Sequence, residues 1–173
     1  MKFTLNGNPV SVEIGSDQHL LEVLREHCGV TSVKDGCAPE GSCGACTVLI
    51  DGNAVVSCAQ PAHRFEGRQI VTHDGLDDSV RARWAECFVA SGASQCGFCS
   101  PGIVMKAESL LGRIPDPSRE RIAAALAGNL CRCTGYQNIV ASVVRAAEIS
   151  RERAASSPAR AGAPAAAPPT SET

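Results

Sequence analysis

Four cysteines form two close pairs that lie far apart in the chain: Cys96-Gly97-Phe98-Cys99 and Cys131-Arg132-Cys133. Thiolates are soft, anionic ligands, and in a reducing compartment such clusters point to metal or redox chemistry rather than to disulfides. A second set runs Cys37-x5-Cys43-x2-Cys46-x11-Cys58. Three cysteines on a glycine-rich loop with a fourth further on match the plant-type [2Fe–2S] arrangement, C-x4-C-x2-C and a distant Cys, except for one extra residue in the first interval. Cys28 is the nearest substitute for Cys37, but it falls at the predicted end of a helix. Gly41 and Gly44 allow backbone N–H groups to approach a cluster whose formal charge is about −2 oxidised and about −3 reduced. Structural zinc is the competing reading for all eight cysteines. It prefers Cys-x2–4-Cys half-sites, so Cys131-x-Cys133 fits it poorly. Cys28 and Cys87 read as small buried apolar residues. His19, His27, His63 and His73 show no pairing with cysteine of the kind a Rieske centre needs.

The elements that must position these thiols follow from periodicity. Phe3 and Leu5, then Val10, Val12 and Ile14, alternate around Asn6-Gly7-Asn8, which predicts strands over 2–6 and 9–14. Leu20, Leu21, Val23 and Leu24 share a face at helical spacing, with Ser16 or Asp17 to cap a helix over 17–27 and Gly29 to end it. Thr47–Ile50 and Ala54–Ser57 flank Asp51-Gly52 as a second hairpin, which returns Cys58 toward the loop holding Cys46. Gln69–Val71 is a last short strand. Five strands with one helix across them is the β-grasp pattern.

Beyond His73-Asp74-Gly75 the period becomes helical. Helices are predicted over 78–91, from Ser100-Pro101 through Leu111, over 122–126 ending near Gly128-Asn129, and over 137–151. This reads as a four-helix bundle. The predicted fold is therefore α+β: a plant-type ferredoxin domain over 1–75, a helical [2Fe–2S]-binding domain over 76–153, and a disordered Ala/Pro-rich tail over 154–173.

Composition narrows the remaining options. The 173 residues carry a formal net charge of −2, which gives no basic footprint for nucleic acid. No apolar run is long enough to span a bilayer, and the start turns polar too soon for a secretory leader. A cytoplasmic location is expected. Only 3% of residues are aromatic, so a core short of large side chains gains from metal crosslinks.

Three motifs carry a resemblance: Gly36-Cys37 through Gly44-Ala45-Cys46-Thr47-Val48, Gln95-Cys96-Gly97-Phe98-Cys99-Ser100-Pro101-Gly102, and Gly128-Asn129-Leu130-Cys131-Arg132-Cys133-Thr134-Gly135-Tyr136. In order and separation, over residues 1 to about 150, they resemble the iron–sulfur small subunit of the molybdenum hydroxylases, the xanthine dehydrogenase family. The resemblance implies one [2Fe–2S] cluster on Cys37, Cys43, Cys46 and Cys58 and another on Cys96, Cys99, Cys131 and Cys133. It implies a large partner subunit with a molybdenum–pterin cofactor and a medium subunit with FAD. Electrons would pass from molybdenum through the helical-domain cluster, then the ferredoxin-type cluster, to FAD or another acceptor. It also implies that Cys133 and Gln95 lie nearest the pterin. The residues themselves leave two alternatives: a free two-cluster ferredoxin acting as a soluble carrier, and a zinc-stapled interaction module. No general base, nucleophile or substrate pocket is identifiable.

Overall fold

A computed structural model of the chain describes residues 1–156. Both hairpins form where two successive positive-φ residues supply the tight turn that a right-twisted strand pair needs: Asn6 and Gly7, then Asp51 and Gly52. They set β1 (Lys2–Leu5) against β2 (Asn8–Ser11) and β3 (Thr47–Ile50) against β4 (Asn53–Val56). The fifth strand, β5 (Gln69–Val71), joins the hairpins by pairing parallel to β1 and antiparallel to β3. The resulting mixed sheet has the order β2-β1-β5-β3-β4.

The predicted first helix is shorter and differently wound. It begins at α1 (Leu20–Glu22) and continues as a π-helical turn over Val23–His27. Neither Ser16 nor Asp17 caps it. The backbone at 18–20 is instead held extended against 60–62, with Ala62 N–H donating to Gln18 C=O and Leu20 N–H to Gln60 C=O, both at 2.9 Å. Helical dihedrals can start only once those bonds end. The apolar face lands as expected: Leu20, Leu21, Val23 and Leu24 are buried with Phe3, Leu5, Val48 and Ile70 in one core.

A second core gathers Trp84, Phe88, Ile103, Leu110, Ile122, Ile139 and Val143. Four helices build it: α2 (Asp78–Ala90), α3 (Ser100–Arg113), α4 (Arg119–Ala125) and α5 (Tyr136–Ser156). The fourth runs through 154–156, which were expected in the tail; the rest of that predicted tail, 157–173, lies outside the described residues. Cys87 is buried in this core as expected, whereas Cys28 is only half-buried beside the sheet core. Arg83 spans α2, α3 and α5: it pairs with Glu108, donates to Ser150 Oγ at 2.7 Å and lies 5.5 Å from the Trp84 ring centre. Glu108 also accepts from Trp84 Nε1 at 2.6 Å.

Helix α3 packs on β3 and β4. Its buried Ser109 donates to Gly52 C=O and accepts from Ala54 N–H, both at 3.1 Å, so the helix is pinned to the tip of the second hairpin. No helix among the described residues is long and apolar enough to cross a membrane.

Candidate metal centres

Cys37 and Cys43 lie on the irregular loop after the first helical turn, Cys46 just before β3, and Cys58 on the 3-10 turn after β4. The hairpin brings the last two together: Ser57 Oγ donates to Cys46 C=O at 2.8 Å, and Cys58 N–H points at Cys46 Sγ at 3.4 Å. Across the loop, Cys43 N–H points at Cys37 Sγ, also at 3.4 Å. Amide hydrogens aimed at sulfur favour the thiolate form that a metal needs. Cys37 is half-buried at the edge of the loop, while Cys46 and Cys58 are buried. A hydrogen bond from the Ser42 side chain is the main reason the Cys37 thiol is lowered to about 7. Burial, with the neighbouring Cys46 thiol, pushes Cys58 up to about 12, and burial raises Cys43 as well.

The second set collects at the mouth of the helices. Cys96 and Cys99 precede α3, and Cys131 and Cys133 lie in the turn before α5. Cys96 Sγ and Cys133 Sγ are 3.6 Å apart, and both residues are exposed. Cys99 stands at the start of α3, with Pro101 in its first turn as the sequence predicts. Burial pushes Cys99 up to about 12, with the Cys131 thiol adding to it. Burial also acts upward on Cys131, but hydrogen bonds from the Thr134 N–H and hydroxyl, and from the Cys133 N–H, outweigh it and bring that thiol to about 6. The Phe98 N–H, then the Cys133 thiol, lower Cys96.

The eight cysteines thus lie in two groups, Cys37, Cys43, Cys46 and Cys58 in one and Cys96, Cys99, Cys131 and Cys133 in the other. Within each group the thiols feel one another's charge: Cys58 senses Cys46 and Cys37, and Cys99 senses Cys131 and Cys133. Among the described residues, no three His, Cys, Asp or Glu side chains close on one ion-sized point. A binuclear cluster asks for a different arrangement, two thiolates on each of two irons, and so for four sulfurs around a wider space. The all-thiolate donor sets and the N–H groups aimed at them fit such a group.

Gln95, predicted to face a pterin, is exposed, and its Nε2 donates to Cys133 C=O at 2.9 Å. That bond ties the two halves of the second set at the surface.

Two residues that spacing did not single out join the sets. Asn129 is buried; its Nδ2 donates to Gly44 C=O at 3.0 Å, and its C=O accepts from Tyr136 Oη at 2.7 Å. The Tyr136 oxygen accepts in turn from Cys131 N–H at 3.2 Å. In the sequence, Gly128-Asn129 is a helix-ending pair, and that backbone role hides the side chain's. Gly44 shows how tight the contact is. It has φ +68, and a Cβ there would run into Gly128 C=O and stand 2.7 Å from Asn129 Nδ2.

Known proteins resemble this chain in sequence and fold. Residues 3–75 match the family described as 2Fe-2S iron-sulfur cluster binding domain, and residues 72–144 match that described as [2Fe-2S] binding domain. The chain is 44% identical over 149 residues to the nicotinate dehydrogenase small FeS subunit of Eubacterium barkeri, covering 86% of this chain and 94% of that one. It is 43% identical over 144 residues to the xanthine dehydrogenase iron-sulfur-binding subunit of Escherichia coli O157:H7, covering 82% and 89%. Among solved structures, quinoline 2-oxidoreductase from Pseudomonas putida 86 superposes with a TM-score of 0.80 at 38% identity, covering 88% of this chain and 95% of that one. Aldehyde oxidoreductase from Desulfovibrio gigas superposes with a TM-score of 0.82 at 36% identity, covering 88% of this chain and 17% of the longer one. Two cysteine sets in one folded unit, with two relatives named as iron–sulfur subunits matched along nearly their whole length, place the chain: it belongs to the iron–sulfur small subunits of the molybdenum hydroxylases, the xanthine dehydrogenase family.

Proposed function

We propose that this chain is the electron-transfer subunit of a molybdenum-containing hydroxylase. In this reading residues 1–75 form a β-grasp ferredoxin domain in which Cys37, Cys43, Cys46 and Cys58 hold one [2Fe–2S] cluster. Residues 76–153 form a helical domain in which Cys96, Cys99, Cys131 and Cys133 hold the other. When bound, each cluster takes up and gives up one electron, so the pair relays charge between a molybdenum–pterin site on a large partner subunit and FAD, or another acceptor, on a further subunit.

The observation that carries this reading is the difference in exposure between the two sets. Two thiols of the second set, Cys96 and Cys133, stand exposed with the exposed Gln95, whose amide bonds Cys133 C=O, whereas no thiol of the first set is exposed and Cys46 and Cys58, at the two ends of the second hairpin, are buried. An exposed pair of ligands beside a side-chain amide suits docking against a partner's cofactor. We assign Cys133 and Gln95 to that face. Phe98, Leu130 and Tyr136, close to these cysteines in the chain, are exposed and offer apolar surface of the kind a subunit contact needs.

In this reading the chain orients and insulates redox centres, and the substrate is selected on the large partner subunit. The relatives' names mention nicotinate, xanthine and aldehydes alike. A cytoplasmic location and a hetero-oligomeric state belong to the same proposal. Purification through a tag on this chain tests it. A stable complex with a large subunit and bound molybdenum is expected. A free monomer that shuttles electrons between diffusing proteins would favour a soluble two-cluster carrier instead.

A further inference from the structure

We propose that Asn129 and Tyr136 are positioning residues that fix how the two cysteine sets meet, an inference that rests on the two-cluster reading above. Asn129 projects from the helical half into the loop of the first set. Its Nδ2 donates to Gly44 C=O at 3.0 Å and approaches Thr47 Oγ1 at 3.5 Å. The same Gly44 carbonyl accepts from Thr47 Oγ1 at 2.7 Å, so it is held from both halves of the molecule. Gly44 lies between Cys43 and the Ala45-Cys46 pair, and fixing its carbonyl fixes the direction in which two ligands project.

The backbone around Asn129 is committed just as fully. Its N–H donates to Leu126 C=O at 2.9 Å, and the Leu130 N–H to Cys43 C=O at 2.8 Å. Tyr136 closes the other side. Its hydroxyl donates to Asn129 C=O and accepts from Cys131 N–H, which bridges the turn that carries Cys131 and Cys133. The phenol therefore occupies the N–H of a ligand-bearing residue, which Tyr136→Phe would release for another acceptor. Amide hydrogen bonds to cluster sulfur stabilise the reduced state, so releasing that N–H raises the potential. A burial role alone does not call for these groups, because a carboxamide taken out of water is favourable only when its partners are in place.

The test uses the complex purified through this chain, with Tyr136→Phe and Asn129→Ala compared against the parent. Iron and sulfide content, the midpoint potential of each cluster and the low-temperature magnetic interaction between the two reduced clusters are measured by chemical assay and electron paramagnetic resonance (EPR). Tyr136→Phe is expected to load both clusters and to shift upward the potential of the cluster on Cys96, Cys99, Cys131 and Cys133, leaving the other in place. Loss of that cluster alone supports the proposal more strongly still. Asn129→Ala is expected to weaken the interaction between the clusters. If it fails to fold, Tyr136→Phe decides the matter. Parent potentials and coupling in the folded variants, with only a lower melting temperature, would overturn the proposal and leave the two residues a purely structural role. A parent complex without two cluster signals would instead overturn the two-cluster reading beneath it.

Discussion

The backbone N–H of Leu130 donates to the carbonyl of Cys43 at 2.8 Å. One hydrogen bond therefore separates a residue of the first cysteine set from the residue adjoining Cys131 in the second. Cys43 belongs to the sheet half and Leu130 to the helical half, so the bond crosses the boundary between them. The surrounding atoms leave no slack. A Cβ on Gly102, in the first turn of α3, would run into Gly44 C=O and stand 3.1 Å from Ala45 Cα. Such close backbone approach keeps the two sets within one rigid contact, which a relay of electrons requires.

Replacing one ligand in each set separates the clusters experimentally. Cys37→Ser is expected to remove the EPR signal of the ferredoxin-type cluster and keep the other. Cys99→Ser is expected to do the reverse. Both changes eliminating the same signal would contradict the assignment of ligands to sets.

Gly44→Ala introduces a side chain where φ is +68 and where carbonyl and carboxamide atoms already fill the space. Left-handed strain and overpacking together are expected to lower stability by about 2–4 kcal/mol and to reduce loading of the first cluster. Gly112 is exposed on α3, and a Cβ added there would meet nothing within 4 Å, so it provides the control. Gly112→Ala is expected to raise stability by about 0.5–1 kcal/mol. Thermal unfolding with iron analysis checks both; equal behaviour of the two variants would argue against a tight interface at Gly44.

The Arg83–Glu108 pair is largely withdrawn from solvent, at 10% and 20% side-chain exposure. Glu108→Ala strands the guanidinium, whose Nε already lacks a partner, and takes the acceptor from Trp84 Nε1. A loss of about 3 kcal/mol is expected. Glu108→Gln keeps an acceptor for the indole and is expected to lose less. Denaturant unfolding measures both, and a larger loss in the glutamine variant would show that charge matters more here than hydrogen bonding.

Periodicity located most of the elements because many of the apolar residues that set it became buried, although Val10, Val12 and Ile14, which predict a strand over 9–14, are only partly buried and β2 ends at Ser11. Val48 and Ile50 in β3, and Ile139 and Val143 in α5, illustrate the match. The start of α1 was not legible, since it depends on pairing between 18–20 and 60–62, a contact distant in sequence. The cysteine sets were readable from spacing, because ligand spacing constrains the local chain. Asn129 and Tyr136 were not: Asn129 meets Gly44 only when the two halves close on each other, and Tyr136 meets Cys131 and Asn129 through a local turn that no apolar periodicity or ligand spacing marks.

The most direct measurement is an EPR-monitored redox titration of the purified complex, with iron, sulfide, zinc and molybdenum determined on the same sample. Two distinct reduced-cluster signals, iron and sulfide in the proportion of two [2Fe–2S] clusters, and bound molybdenum are the predicted result. A colourless protein holding zinc on its cysteines, with no signal on reduction, would contradict the account.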